Sequence, residues 1–269
     1  MGLRIQNNVE AFNAHRNLTG TASKAAKAME KLSSGYRVNR AADDAAGLAI
    51  SEKMRGQISG LAQAQRNAQD GVSLVQTAEG ALQTVSSMVQ RIRDLKVQYN
   101  NETLNTADRT ALDSEYTALK NEILTIRTGT EFNGIDLLSS VGNVKLQVGA
   151  NHDEFISAAT VDLATSIGVI NTAGSLGDAA VTLTALDTAI ANVASARSGF
   201  GAVQNRLEHR LNNLSIYQEN LVASESRIRD VDMAAEMVNF SKLQILQQAG
   251  TSMLAQANQS SQSVLSLLR

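Results

Sequence analysis

The sequence predicts a mainly α-helical fold: an elongated antiparallel bundle of coiled-coil type, with a small β-hairpin region and terminal helices that pair on assembly. Three observations carry this. Met54, Leu61, Ala68, Val75, Leu82 and Val89 stand seven residues apart, and Ile58, Ala64, Val72, Ala78, Val85 and Ile92 follow them by three or four. That is the apolar seam of a coiled coil. Leu186, Val193, Phe200, Leu207, Leu214, Leu221 and Ile228 repeat the spacing near the other end, with Ala189, Ala196, Val203, Leu211, Tyr217 and Val231 filling in. Proline, the main interior helix breaker, is absent. A helix from about Asp44 to Asn100 would be roughly 85 Å long at ~1.5 Å per residue. Its stripe needs a long partner, and the second stripe supplies one in an antiparallel hairpin of helices.

Taken in order, residues 3 to 32 carry a thin amphipathic stripe: Leu3, Ile5, Val9, Phe12, Leu18, Ala22, Ala25, Met29 and Leu32. Such a helix is marginal alone in water. Gly35 should stop it. Asp43 and Asp44 stand where the long helix starts, and capping of its free N–H groups explains them better than metal or acid–base chemistry. After Tyr99 a polar break leads to a third helical period through Leu112, Tyr116, Leu119, Ile123 and Ile126. Asn133-Gly134 reads as a hairpin turn. Val144–Val148 alternates apolar and polar as a strand does, and 154–161 can return beside it. Thr165 to Gly177, rich in glycine and threonine, reads as a surface loop. Helix resumes near Leu183 and continues to about Ser226. Arg229–Asp232 is a bend, and a last helix from Met233 carries Met237, Val238, Ile245, Leu246, Leu254, Val264 and Leu268, with a polar face of Gln, Asn and Ser.

Composition excludes several functions. Aromatic residues are only 3% and tryptophan is absent, so small aliphatic seams replace a bulky globular core. A net charge of −2 offers no basic field for nucleic acid. Without cysteine there is no disulfide, thiolate or cysteine metal site. No apolar run is long enough to span a membrane, and residues 1–8 lack the apolar core of a cleavable signal. These facts alone would indicate a cytoplasmic protein. Phosphate-binding loops, HExxH and nucleophile elbows are all missing. His15, His152 and His209 lie far apart, and each reads as a solvated or packed side chain. No enzyme, cofactor or metal site is expected. The charged stretches 90–96 and 225–230 suit either solvated faces or docking surfaces.

Several longer stretches resemble a known family. Met29-Glu30-Lys31-Leu32-Ser33-Ser34-Gly35-Tyr36-Arg37-Val38-Asn39, followed by Ala41-Ala42-Asp43-Asp44-Ala45-Ala46-Gly47-Leu48, is similar to the N-terminal core of bacterial flagellins. So is Ala68-Gln69-Asp70-Gly71-Val72. Gly201-Ala202-Val203-Gln204-Asn205-Arg206-Leu207, Ser224-Glu225-Ser226-Arg227-Ile228-Arg229-Asp230-Val231-Asp232 and the ending from Ala255 resemble the C-terminal core. The likeness covers most of 1–165 and 181–269. It implies terminal segments 1–43 and 229–269 forming a filament's inner core, a helical rod with a β-hairpin over 44–160 and 179–228, and a short variable loop at 161–178 in place of large outer domains.

The resemblance also implies a structural subunit that polymerises into the flagellar filament for swimming motility. It would leave the cell unfolded through the flagellar type III system and be secreted to the cell exterior. Its expected partners are copies of itself, an export chaperone, the filament cap, the hook–filament junction proteins and the host Toll-like receptor for flagellin. The positions matching the receptor site are Gln90, Arg91, Leu95 and Glu115, with Lys96 adding a charge beside them. Polymerisation contacts fall to Leu3, Ile5, Val9, Phe12, Ile245, Leu254, Val264 and Leu268. Residues 1 to about 40 and about 233 to 269 are expected to be largely disordered in the free subunit and helical in the filament. A signalling hairpin of the chemoreceptor kind would also use antiparallel heptads, but has no need of weak outer helices or a β-hairpin.

Overall fold

A computed structural model describes residues 8–267, with side chains described through residue 259. Its elements are α1 (Val9–Ser34), α2 (Ala45–Tyr99), α3 (Thr106–Gly129), β1 (Glu131–Phe132), β2 (Ile135–Asp136), β3 (Gly142–Gln147), β4 (Phe155–Thr160), α4 (Leu163–Ser166), α5 (Gly168–Thr172), α6 (Leu183–Arg229) and α7 (Met233–Leu267). They form two compact units, one of residues up to Gly56 and from Asn220 onward, the other Gln57–Glu219. The division falls inside α2 and α6.

In the second unit the sevenfold stripes are the core. Leu61, Ala68, Val75, Leu82 and Val89 of α2 are buried, as are Leu186, Val193, Phe200, Leu207 and Leu214 of α6. Tyr217 departs from the stripe and is exposed. Cross-helix pairs give the direction. Gln65 meets Ser215 at 3.4 Å, Glu79 meets Arg197 at 3.5 Å and Arg93 meets Asp187 at 2.6 Å, so the two helices run antiparallel. The third period becomes α3, which buries Leu112, Tyr116 and Ile123. A capping box starts it: Asn105 accepts from the Asp108 N–H at 2.8 Å, and Asp108 accepts from the Asn105 N–H at 3.2 Å.

Both hairpins form. β1 and β2 turn at Asn133 (φ 50°) and Gly134 (φ 75°), the left-handed pair that a tight two-residue hairpin demands. A Cβ at position 134 would strain that turn, so Gly134→Ala is expected to cost about 1–2 kcal/mol in chemical denaturation. β3 and β4 pair antiparallel from Gly142↔Thr160 to Gln147↔Phe155. Asn67 of α2 donates to the Gln147 carbonyl at 3.0 Å and Arg210 of α6 to the Val148 carbonyl at 2.9 Å, which fixes the hairpin on the bundle.

The segment read as a surface loop is instead core. Leu163, Ile167, Ile170 and Leu176 are all at most 1% exposed: α4 presents Leu163, α5 presents Ile170, Ile167 joins the two helices and Leu176 follows them. Side chains from α2 and α3 hold the segment's backbone. Tyr116 Oη donates to the Ile170 carbonyl at 3.2 Å, Lys120 Nζ to Ala173 O at 2.7 Å and Lys96 Nζ to Leu176 O at 2.6 Å. Asp113 accepts from the Leu176 N–H at 2.8 Å. Burial raises the Tyr116 hydroxyl to about 12, helped by the negative charges of Asp178 and Asp113, so it stays a donor.

Asp162 caps α4 by accepting from the Ala164 N–H at 3.0 Å, and it pairs with Arg127 at 3.2 Å. Its partial burial opposes ionisation. Hydrogen bonds from Ala164 and Thr165, with the Arg127 charge, outweigh that and hold the carboxyl below its usual 3.8. A lowered carboxylate pKa stabilises the fold above the unfolded value, and that contribution is lost as pH falls through the lower folded value. Asp162→Asn keeps a capping oxygen but loses the charge that pairs with Arg127, and is therefore expected to cost about 0.5–1 kcal/mol at pH 7. Melts of the two proteins should converge as pH falls below about 4.

In the first unit, Gly35 stops α1 in the left-handed region (φ 76°), with its N–H on the Lys31 carbonyl. Of the two aspartates, Asp44 caps α2 through the Gly47 N–H at 2.9 Å. Asp43 braces the preceding turn, accepting from the N–H groups of Arg40 at 3.0 Å and Asn39 at 3.3 Å.

Candidate assembly surface

α1 and α7 pack together in the first unit. Ala25 and Ala28 meet Leu243, with Phe240 against them. Asn8 Nδ2 donates to the Ala257 carbonyl at 2.9 Å, so α1 begins near the far part of α7 and the pair is antiparallel. The seam is thin because alanines supply most of it. Apolar side chains are left facing solvent on both helices: Phe12 is 71% exposed, Val238 71%, Ile245 66% and Met253 65%. A groove of ≈ 610 Å³ runs between the helices, lined among others by Leu18, Leu246, Ala249 and Met253. The 35 residues of α7 include only two charged side chains, Glu236 and Lys242. The result is a nearly neutral, largely apolar surface with neutral amide side chains around it.

Of the expected polymerisation residues, Val9, Phe12 and Ile245 are on this exposed surface and Leu254 is half-buried. Val264 belongs to α7, with its side chain outside the described residues, and Leu3, Ile5 and Leu268 lie outside them altogether.

The expected receptor patch is only partly a surface. Gln90 and Arg91 are exposed, and Arg91 Nε donates to the half-exposed Glu115 at 2.7 Å across α2 and α3. Leu95 is fully buried. It packs into the bundle core and offers nothing to a partner. Lys96, expected to add a surface charge, also points inward. It occupies the stripe position seven residues after Val89 and is 8% exposed. Burial lowers its pKa, an effect opposed by the charges of Asp113 and Asp178. Sequence reasoning missed a further cluster around Arg229, Tyr36 and Glu52. Its one visible signal is an arginine that directly follows the last stripe residue, Ile228, at the end of α6.

Among the described residues, no three His, Asp or Glu side chains converge on a possible metal site, and no helix is long and apolar enough to cross a membrane.

Long antiparallel helices braced by a third helix and hairpins in one unit, and a helix pair with bare apolar faces in the other, place the chain among helical structural proteins. Residues 5–143 match the bacterial flagellin N-terminal helical region, and residues 183–268 the bacterial flagellin C-terminal helical region. The chain belongs to the bacterial flagellin family, whose members are structural subunits of the flagellar filament and not enzymes. It is 53% identical to a flagellin of Halalkalibacterium halodurans, over 98% of this chain and 99% of that one. It is 47% identical to a flagellin of Bacillus subtilis, over 99% and 100%. A crystal structure of Bacillus cereus flagellin aligns with TM-score 0.51 at 36% identity, over 55% of this chain and 88% of that one. A putative flagellar hook-associated protein from Vibrio parahaemolyticus shares the fold alone, at 17% identity and TM-score 0.59, over 70% and 100%.

Proposed function

We propose that this chain polymerises with copies of itself into the extracellular flagellar filament for swimming motility, through the faces of α1 and α7. The observation that carries this is the row of bare apolar side chains on that helix pair, Val9, Phe12, Val238, Ile245 and Met253. In the free subunit the thin Ala25–Ala28–Leu243 seam is small against an ordering cost of roughly 1–2 kcal/mol per residue. α1 and α7 therefore gain their order on assembly, where stacked copies cover both sides. Light scattering and electron microscopy of the purified full-length chain, seeded with fragments of its own filaments, test the reading. Absence of any polymer over a wide concentration range would sink it.

Export in an unfolded state through the flagellar type III system fits the same features. A chain with no proline and no cysteine has neither slow prolyl isomerisation nor disulfide exchange to delay unfolding or refolding. The export chaperone, the filament cap and the hook–filament junction proteins are the partners this route calls for, and the apolar faces of α1 and α7 are what a chaperone would shield.

A host Toll-like receptor is the second proposed partner, at the exposed Gln90 and Arg91 and the neighbouring Glu115. Arg91→Ala is expected to weaken receptor signalling about tenfold in a reporter assay, as loss of a charged contact does, without changing the melt. Equal signals from both proteins would remove Arg91 from the site. Leu95→Ala should instead act on stability, by about 2–5 kcal/mol.

A further inference from the structure

The two linkers of the first unit are tied together around one buried cation. Residue Tyr36 bridges Asp230 antiparallel. The Val231 N–H donates to Gly35 O at 3.0 Å, and the Arg37 N–H to Arg229 O at 2.6 Å. The Arg37 guanidinium reaches the Ile228 carbonyl, also at 2.6 Å. At the centre stands Arg229, the last residue of α6, only 9% exposed. Its guanidinium lies 4.6 Å from the centroid of the Tyr36 ring and donates to Glu52 of α2 at 2.7 Å. One arginine thus joins the start of α2, the end of α6 and the linker that follows α1.

Depth of burial separates this from an ordinary surface ion pair. The other arginine–carboxylate pairs of the described residues have arginine side chains between 26% and 72% exposed, whereas that of Arg229 is 11% exposed. The Nε of Arg229 is buried without a hydrogen bond, as is that of Arg197 in its half-buried pair with Glu79. A buried cation with an unsatisfied donor is a costly way to gain stability, and an apolar side chain would pack there more cheaply. What the arginine supplies is direction: a planar fork held by a ring on one side and a carboxylate on the other admits one geometry.

We propose that Arg229 is a positioning residue for assembly: with Tyr36 and Glu52 it locks linkers 35–44 and 230–232 together and so sets the direction in which α1 and α7 leave the ends of α2 and α6. The lock rests on the polymerisation reading above and adds to it the element that aims the assembling helices. In the free subunit it forms the boundary between ordered and ordering chain, so the amides of Arg37 and Val231 exchange slowly even where those of α1 exchange fast. A subunit arriving at a filament end then brings its two terminal helices in at a fixed angle, rather than as independent tethers.

The test uses the full-length chain as Arg229→Gln, Arg229→Lys, Tyr36→Leu and Tyr36→Phe. Amide hydrogen exchange reads the lock, and growth from wild-type filament seeds with electron microscopy of the product reads the positioning. Arg229→Gln and Tyr36→Leu are expected to speed exchange at Arg37 and Val231 at least tenfold, to leave the amides around Leu82 and Ile92 unchanged, and to slow seeded growth about tenfold or alter the filament's helical form. Arg229→Lys, which keeps the charge without the planar fork, falls between. Tyr36→Phe, which keeps the ring, behaves as wild type. Unchanged exchange in Arg229→Gln overturns the lock. Faster exchange with wild-type growth and wild-type filament form overturns the positioning role. If the wild-type chain itself forms no filaments, the polymerisation reading fails instead, and exchange alone still decides whether the lock exists.

Discussion

Ile245→Asp in the full-length chain is expected to abolish filament growth at concentrations where the wild type assembles, and to leave the main thermal transition where it is. Ile245 is 66% exposed on α7, so a carboxylate is tolerated there in the isolated subunit. Once a second copy covers that face, the charge loses its water with no partner nearby, at an effective cost of several kcal/mol. At about 1.4 kcal/mol per tenfold, subunit addition weakens by at least roughly 100-fold. Thermal stability comes from the other unit, from Leu61, Val75, Leu82, Val193 and their neighbours, none of which the substitution touches. Leu254→Asp should act in the same direction. Turbidity growth curves from wild-type seeds, paired with circular-dichroism melts, check both halves of the expectation. Growth at the wild-type critical concentration would show that the outer face of α7 stays in solvent when the subunit assembles.

How much of this was legible in the sequence depends on how many turns each pattern had to repeat. The stripes of α2 and α6 run over many heptads, and most of their apolar positions within 57–219 are buried or half-buried, Tyr217 excepted, because period and burial reinforce each other along a long seam. The Asn133-Gly134 turn was equally legible, since local backbone chemistry dictates it. Segment 163–176 was not. α4 and α5 have four and five residues, too few to show a helical period, and Gly168, Gly174 and the threonines around them gave the composition of a loop. What buries Ile167 and Ile170 is the core that distant helices build around them, which no local pattern encodes. Leu95 and Lys96 went wrong for a related reason. The stripe assigns position 96 inward, and a lysine there suggested a surface, yet its amine finds the Leu176 carbonyl and leaves its stem in the core. The Arg229 cluster joins residues more than 170 apart in sequence, and beyond the arginine that follows Ile228 it leaves no local signature.

Replacing residues 163–176 with a glycine–serine linker of equal length is expected to unfold the 57–219 unit. Insertion of the same linker between Ala179 and Ala180 is expected to be tolerated. The two sites are only a few residues apart, and composition would treat them alike. The first removes Leu163, Ile167, Ile170 and Leu176, each at most 1% exposed. At about 1.5–3 kcal/mol per buried aliphatic side chain the loss is roughly 6–12 kcal/mol, as large as the whole stability of a typical domain. It also strands Tyr116 Oη, Lys120 Nζ and Lys96 Nζ, which now donate to carbonyls of the segment. The second site is exposed on both sides, and Thr182 caps α6 through the Ala185 N–H at 3.1 Å, so the helix start is defined downstream of the insertion. Lengthening an exposed turn adds mainly loop-closure entropy, about 0.6 kcal/mol per doubling of its length. Circular-dichroism melts of both variants decide. A linker-replaced chain that melts within a few degrees of wild type would return the segment to the status of a dispensable surface loop. A collapsed melt in the insertion variant would mean that the Asp178–Thr182 turn carries packing beyond its own backbone bonds.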